Sequence, residues 1–414
     1  MHAKPLFHLD LPSGKDLMDT VRFGVVGLGG MGSFHLAYLD KVEGARVGAV
    51  CDVDPERVER NAKKFESLPG GTRVGRFNQY PDLIRSGDVD AVLIATPHFQ
   101  HPEVAIAALE QGLHVLCEKP VAVSVKEARR LNDAATRHPQ SKFGLMYQMR
   151  AVPIYRKLRE LIADGELGEI SRITWLITDW FRTWTYYASG GWRATWAGEG
   201  GGVLINQCPH NLDLIQWLTG LFPGRITAVG FVGKTHPIEV EDEISAILEY
   251  PNGAIGHFIT TTGEAPGTNR LEIVGDRGKI VAEGGKLTFT RTRKAVREIR
   301  ETSKEMFAAP ETWTIDVPVP PAPPEPHKLI TENFVRAVLK DEPLISPGIE
   351  GSRGLEIGNA MLMAGLTRRP VDLPLDGDAY EQFLKDMQRQ YGGRKTLQTK
   401  AVSPGDMASS FAKP

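Results

Sequence analysis

Cysteine is scarce in this 414-residue chain: Cys51, Cys117 and Cys208 stand far apart and form no CxxC pair. That spacing offers neither a disulfide framework nor a zinc knuckle, and it suits cytosolic thiols. Among the eleven histidines only His98 and His101 form a tight pair, with no obvious carboxylate or thiolate partner, so no metal site is expected. Long apolar runs are missing too. Nowhere do about 18 or more apolar residues follow one another, and residues 1–20 lack the run of about seven that makes a signal-peptide core. A soluble cytoplasmic protein without a membrane partner is expected. Charge of one sign is not in excess, since 49 basic side chains face 51 acidic ones. The chain therefore has no net field to hold a polyanion, and no nucleic-acid partner is expected. Glycine and proline, 43 and 28 residues, make up about 17% of the chain, below low-complexity levels. No internal repeat is visible, and the length suits two to three domains.

What is present is a rhythm. Residues 21–27 (VRFGVVG) are a β-branched apolar run that breaks into a glycine cluster, followed by the helical SFHLAYLDKV and a second run, ARVGAVCDVD. PERVERNAKKF then reads as a helix, DAVLIATP as a strand, PEVAIAALEQG as a helix and HVLCEKP as a strand. Strands alternating with helices imply a doubly wound parallel sheet, an α/β domain over residues 21–148. Beyond it the rhythm changes. A helix over Pro153 to Asp164 leads into a strand with Ile173, Trp175 and Ile177 on one face, and two hairpins follow, turning at Asn252-Gly253 and at Asp276-Arg277-Gly278. Residues 149–391 are thus expected to form a second, α+β domain with an open, largely antiparallel sheet. Within it, PVPPAPPEP (318–326) reads as a stiff connector before the helix HKLITENFVRAVLK. Residues 1–20 form an extension in which Met18 is itself a candidate start, and 392–414 a tail expected to be mobile unless a partner subunit orders it.

The turn after the first strand reads Gly27-Leu28-Gly29-Gly30-Met31-Gly32, and Asp52 lies 20 residues past Gly32 at the end of strand two. In this setting a GxGxxG carries chemistry. Gly27 permits the turn, Gly29 lets a pyrophosphate approach the backbone, Gly32 packs helix on strand, and the helix end attracts phosphate. Asp52 would accept both adenosine ribose hydroxyls and repel a 2′-phosphate, with no arginine immediately beside it in sequence, so NAD is expected rather than NADP.

Glu118-Lys119-Pro120 stands at the carboxyl end of a parallel strand, where open α/β sheets bind ligands. Here, through GLGGMG, ATPHFQHPEVAIAALEQGLHVLCEKP, GELGEI, GGGVLINQCPHNLDLIQWLTG and ENFVRAVLKDEPLISPGIEGSRGLEI, the chain resembles the Gfo/Idh/MocA oxidoreductases from about residue 21 to 390. The resemblance implies that Lys119 and an Asp-x-x-x-His pair act together on a sugar or cyclitol hydroxyl. The matching residues are Asn206, in place of the aspartate, and His210. An asparagine hydrogen-bonds substrate but takes no proton and holds no charge. The same resemblance implies cofactor contacts from Gly27, Gly29, Gly30, Met31, Gly32, Asp52, Thr96, Pro97, His101, Glu118 and Lys119. It implies substrate contacts from Lys119, Tyr147, Trp192, Arg193, Asn206, His210 and Asp213, the last orienting substrate or the imidazole. It further implies a homodimer or homotetramer assembled through the second sheet.

Oxidising a carbinol requires the hydroxyl to shed its proton as the hydride leaves. His210, ordinarily titrating near ~6.5, is the expected base, and Lys119 the cation facing the developing negative charge. On that basis oxidation should rise with pH through the imidazole titration. Five of the seven tryptophans, with Phe181, Tyr186 and Tyr187, crowd into residues 175–196. They suit either the C–H faces of a sugar or burial at an interface, and the interspersed Arg182 and Arg193 either an anionic substituent or solvent. The expected function is an NAD-dependent dehydrogenase of a sugar, glycoside or cyclitol. Its alternatives are a redox-neutral glycosidase working by transient oxidation and a non-catalytic sensor that binds NAD or sugar.

Overall fold

The structure, a computed structural model, describes residues 19–68, 71–323 and 325–397. Residues 1–18 of the expected extension, including Met18, and 398–414 of the expected tail lie outside them. The first domain runs β1 (Val21–Val26), α1 (Gly30–Leu39), β2 (Ala45–Cys51), α2 (Pro55–Glu66), β3 (Gly75–Phe77), α3 (Tyr80–Arg85), β4 (Ala91–Ile94), α4 (His101–Glu110), β5 (His114–Cys117), α5 (Val125–Arg137) and β6 (Phe143–Leu145). Its strands lie in the order β3-β2-β1-β4-β5-β6, all pairs parallel. All four residues of β4, Ala-Val-Leu-Ile, are buried, as a strand covered by helices on both faces requires. The order reverses between β1 and β4. A crevice therefore opens at their carboxyl ends, where the glycine turn, Ala95-Thr96 and Glu118-Lys119 all lie.

The second domain continues with α6 (Pro153–Ala163), β7 (Ile170–Ile177), α7 (Trp184–Tyr187), α8 (Val203–Asn206), α9 (Pro209–Thr219), β8 (Arg225–Val232), β9 (Glu241–Glu249), β10 (Ile255–Thr261), β11 (Asn269–Gly275), β12 (Gly278–Glu283), β13 (Lys286–Thr292), α10 (Val296–Thr302), β14 (Thr312–Val317), α11 (Pro326–Lys340), α12 (Gly351–Thr367), β15 (Val371–Asp372) and α13 (Gly377–Tyr391). Nine strands form one sheet in the order β14-β13-β12-β11-β7-β10-β9-β8-β15. β7 and β10 pair in parallel and the other neighbours are antiparallel. Ile173, Trp175 and Ile177 point into the core with no exposed surface, and both expected hairpins form. Val229, Phe231, Ile247 and Ile255, from β8, β9 and β10, stay exposed.

Two expectations change. Helix α11, placed by chain position in the second domain, packs on the first: Ile330, Phe334 and Val335 join its core, with the Phe334 ring 6.0 Å from that of Phe23. An apolar helix face covers whichever sheet face is bare. The first six residues of the expected mobile tail are also docked. Lys395 Nζ donates to the carbonyls of Arg193 (2.7 Å) and Gly190 (3.3 Å), and Leu397 packs against the second core. Among the described residues no helix is long and apolar enough to cross a membrane, and no group of three or more His, Cys, Asp or Glu is placed to hold a metal ion.

Candidate active site

The glycine turn is built by exclusion of side chains. Gly27 has φ +91°, a left-handed conformation, and a Cβ there would sit 2.6 Å from the Ala95 carbonyl oxygen. A Cβ on Gly32 would come within 1.8 Å of the Gly27 carbonyl oxygen, so only glycine lets α1 dock this closely. Around Gly29 a Cβ would meet nothing within 4 Å. Gly29 caps α1 with no side-chain hydrogen bond, which leaves the amides of the first turn, including those of Gly30 and Met31, facing open space at the positive helix end. Asp52 is 8% exposed; its Oδ2 accepts from Leu28 N (2.7 Å) and its Oδ1 from Asp54 N (3.0 Å). It thus ties the turn to β2 and keeps further lone pairs for ribose hydroxyls. The expectation that no arginine stands beside it is corrected. Helix α2 brings Arg57 to 3.8 Å from Asp52 and 3.2 Å from Asp54. Two carboxylates against one guanidinium still leave this corner negative.

Across the crevice the Thr96 hydroxyl is buried without a hydrogen-bond partner, an orphan that a bound nicotinamide amide or ribose would satisfy. Pro97 precedes the turn into α4. His101 has both ring nitrogens on backbone oxygens, Pro120 O at 2.7 Å and Thr96 O at 2.9 Å, so it shapes the loops around the cofactor space. Glu118 is likewise committed: Oε1 lies 2.6 Å from His35 Nε2 and Oε2 accepts from Lys119 N. Burial, the largest single influence, would raise its pKa, but the His35 hydrogen bond together with the charges of His35, His327 and Lys119 outweighs that and holds it at about 2. Both residues are therefore supports for the cofactor loops. The open glycine turn, the uncapped helix end and the orphan hydroxyl together fit a dinucleotide.

Lys119 reaches from the first domain to the second. Its Nζ donates to the main-chain carbonyl of Asn206 at 2.7 Å, at the last residue of α8. Burial, with the charge of Arg193, pushes its pKa below the ordinary lysine value, against the opposite pull of Glu118 and Glu199. Pro209 is the first residue of α9 and Cys208 its cap, so the proline marks a helix start, and His210 follows in the first turn. Its Nε2 lies 3.0 Å from the Gln148 amide nitrogen, and its Nδ1 has no protein partner. Burial and then the charge of Lys119 drive the imidazole well below its usual titration range. A ring so displaced is neutral near pH 7. Tyr147 packs edge-on against His210, ring centroids 5.8 Å apart.

Asp213 does not orient the imidazole. Both its oxygens are held by Arg150, at 2.6 and 2.7 Å, with Gln216 adding a third contact, and both members of the pair are 1% exposed. An i,i+3 spacing on α9 gave the right face but could not reveal the arginine. The aromatic segment is split, and part of it is core. Trp175 and Trp196 are core residues, whereas the Tyr186 hydroxyl donates to Asn206 Oδ1 at 3.3 Å, and Trp192 packs edge-on against His98. Arg193 is not solvated: it is 8% exposed, lies over the Tyr186 and Trp192 rings, and donates to Ser189 and Tyr186. Missed in the sequence were Gln148, Arg150 and Glu199. Glu199, 1% exposed, accepts from the Asn206 side-chain amide and from Ala194 N. GEGGG gave it no signal, because its partners arrive by folding.

Comparison with known proteins agrees with this geometry. Residues 21–143 match an oxidoreductase family with an NAD-binding Rossmann fold, and residues 155–281 match the GFO/IDH/MocA C-terminal domain. Inositol 2-dehydrogenase of Pseudarthrobacter chlorophenolicus is 28% identical over 284 residues, 65% of this chain and 78% of that protein. Levoglucosan dehydrogenase of Pseudarthrobacter phenanthrenivorans is 28% identical over 300 residues, 64% of this chain and 74% of that protein. Among solved structures, the WlbA dehydrogenase from Bordetella pertussis in complex with NADH and UDP-GlcNAcA superposes with a TM-score of 0.69 at 25% identity, covering 86% of this chain and all of that one. The two family matches, together covering more than half of the chain, make it a member of the Gfo/Idh/MocA oxidoreductase family.

Proposed function

We propose that the chain is an NAD-dependent oxidoreductase that exchanges a hydride with a secondary hydroxyl of a sugar, glycoside or cyclitol. The observation that carries the reading is the contact of Lys119, from one domain, with the main-chain carbonyl of Asn206, four residues before His210, in the other. The glycine turn, Asp52 and the Thr96 loop would hold NAD, which when bound would supply the hydride acceptor. The rest is done by side chains. Buried and neutral, His210 takes the hydroxyl proton, and the Lys119 ammonium faces the oxygen on which negative charge develops. The Asn206 amide, held between Glu199 and the Tyr186 hydroxyl, fixes the main chain on which Lys119 docks. The exposed apolar side chains of β8, β9 and β10 support a homodimer or homotetramer built on that sheet face.

The test is a panel of inositols, sugars and anhydrosugars incubated with protein and NAD, followed by NADH absorbance. Stoichiometric NADH with at least one polyol is expected. Aryl glycosides with catalytic NAD form a second arm: a leaving group released without net NADH would assign redox-neutral glycoside cleavage instead. Silence in both arms, with NAD bound, would assign a sensor.

A further inference from the structure

Four charged side chains act on Lys119, the carboxylates Glu118 and Glu199 and the guanidinium groups of Arg193 and Arg182. Glu118 is consumed by His35, so the carboxylate left near Lys119 is Glu199. Its two oxygens accept from the Asn206 side-chain amide and from Ala194 N at 2.6 Å. Arg193 stands 3.6 Å away but spends its own donors on Ser189 and Tyr186. Arg193 and Glu199 thus form a buried ion pair without a close guanidinium fork, and burial lifts the carboxyl above its ordinary pKa against the pull of Arg193. The Asn206 main-chain carbonyl in turn takes Lys119 Nζ, and its Oδ1 takes the Tyr186 hydroxyl. A contact at Glu199 thus fixes both faces of Asn206.

We propose, resting on the oxidoreductase reading above, that Glu199 is a positioning residue for the reaction site. Its buried carboxylate orients the Asn206 amide, through it holds the end of α8 against Lys119, and adds to the negative charge that Glu118 places near the ammonium. Asn206 is neutral, so the anion stands one hydrogen bond further from the reacting oxygen. Replacing the carboxylate with an amide would leave Lys119 facing Arg193 and Arg182 with Glu118 as the remaining anion, and its proton would be lost more readily.

The test uses three variants of the full chain: Glu199→Gln, Asn206→Asp, and the double exchange, which keeps one amide and one carboxylate in contact. The first readout needs no substrate: competitive labelling of amines over a pH series, with the Lys119 peptide followed by mass spectrometry. In Glu199→Gln the Lys119 titration is expected to fall by about one unit, while NAD affinity stays within about twofold. The second readout is kcat on whichever polyol the panel identifies. A loss of about tenfold or more is expected for Glu199→Gln, with KM little changed. Asn206→Asp, which sets two carboxylates against each other, is expected to lose turnover as well, and the double exchange to recover most of the loss. A Lys119 titration that does not move in Glu199→Gln, or a double exchange as poor as the singles, overturns the proposal. Should no polyol be oxidised, the oxidoreductase reading fails while the labelling still decides the role of Glu199.

Discussion

Burial moves Lys119 and His210 away from their behaviour in water, in ways that matter for a reaction releasing a proton. His210 is held well below its usual range by desolvation and then by Lys119, so the neutral, proton-accepting ring persists to lower pH. Lys119 is displaced downward by desolvation and Arg193, so its ammonium is lost before the ordinary lysine range. The expected profile of kcat/KM is level through neutral pH. It falls on the acid side below pH 6.5, as His210 gains a proton, and on the alkaline side below pH 10.5, as Lys119 loses one. Stopped-flow rates across this range, with the hydride step shown to limit, provide the check; a midpoint at or above 6.5 would contradict the buried environment of the ring. His210→Asn should cost about 10²–10⁴-fold in kcat and remove the acid limb. Lys119 and His210 were legible in the sequence as a lysine at a strand end and a histidine in a family pattern. Glu199 and Gln148 were not, since each gains its meaning from a partner brought close by folding: His210 is 62 residues from Gln148.

The glycine turn separates packing from binding. Gly32→Ala would push a methyl carbon against the Gly27 carbonyl, so α1 must shift; a loss of about 1–3 kcal/mol in chemical denaturation is expected, together with lost NAD binding. Gly29→Ala meets nothing in the protein, so its unfolding curve should match the parent while NAD affinity falls, as isothermal titration would show. Equal stability loss in both would mean that Gly29 is not facing a ligand space. The strand–helix alternation of this domain was readable because each strand is a short β-branched run and each helix carries glycine, proline or aspartate punctuation. The second sheet was read only in part. β14 (TWTIDV) is exposed over five of its six residues and shows no one-sided pattern, and α12 is buried around most of its circumference, so neither produces an amphipathic signature. The parallel pairing of β7 with β10 joins segments about 80 residues apart and leaves no local trace.

The segment that joins the two domains is pinned to the second, and the first is closed by a helix that returns to it. Arg150, just past β6, makes a fully buried double hydrogen bond to Asp213 on α9, and α11 returns from the second domain to close the first. Arg150→Met leaves the Asp213 charge buried and unpaired, and a loss of about 3–5 kcal/mol in urea unfolding is expected. A change under 1 kcal/mol would show that water replaces the arginine. Phe231→Glu with Ile247→Glu, both on the exposed sheet face, should shift the proposed sheet-face oligomer toward monomer in light scattering without altering NAD affinity. Neither the Arg150–Asp213 pair nor the returning helix was legible, because chain position predicts neighbours only where contacts are local. The most direct measurement is NADH formation by the parent and by Lys119→Ala on the same polyol at saturating NAD. Turnover in the parent and a loss of about 10²-fold or more in the variant, with NAD affinity unchanged, is the expected result. Equal turnover in both would show that the ammonium meeting the second domain has no part in the chemistry.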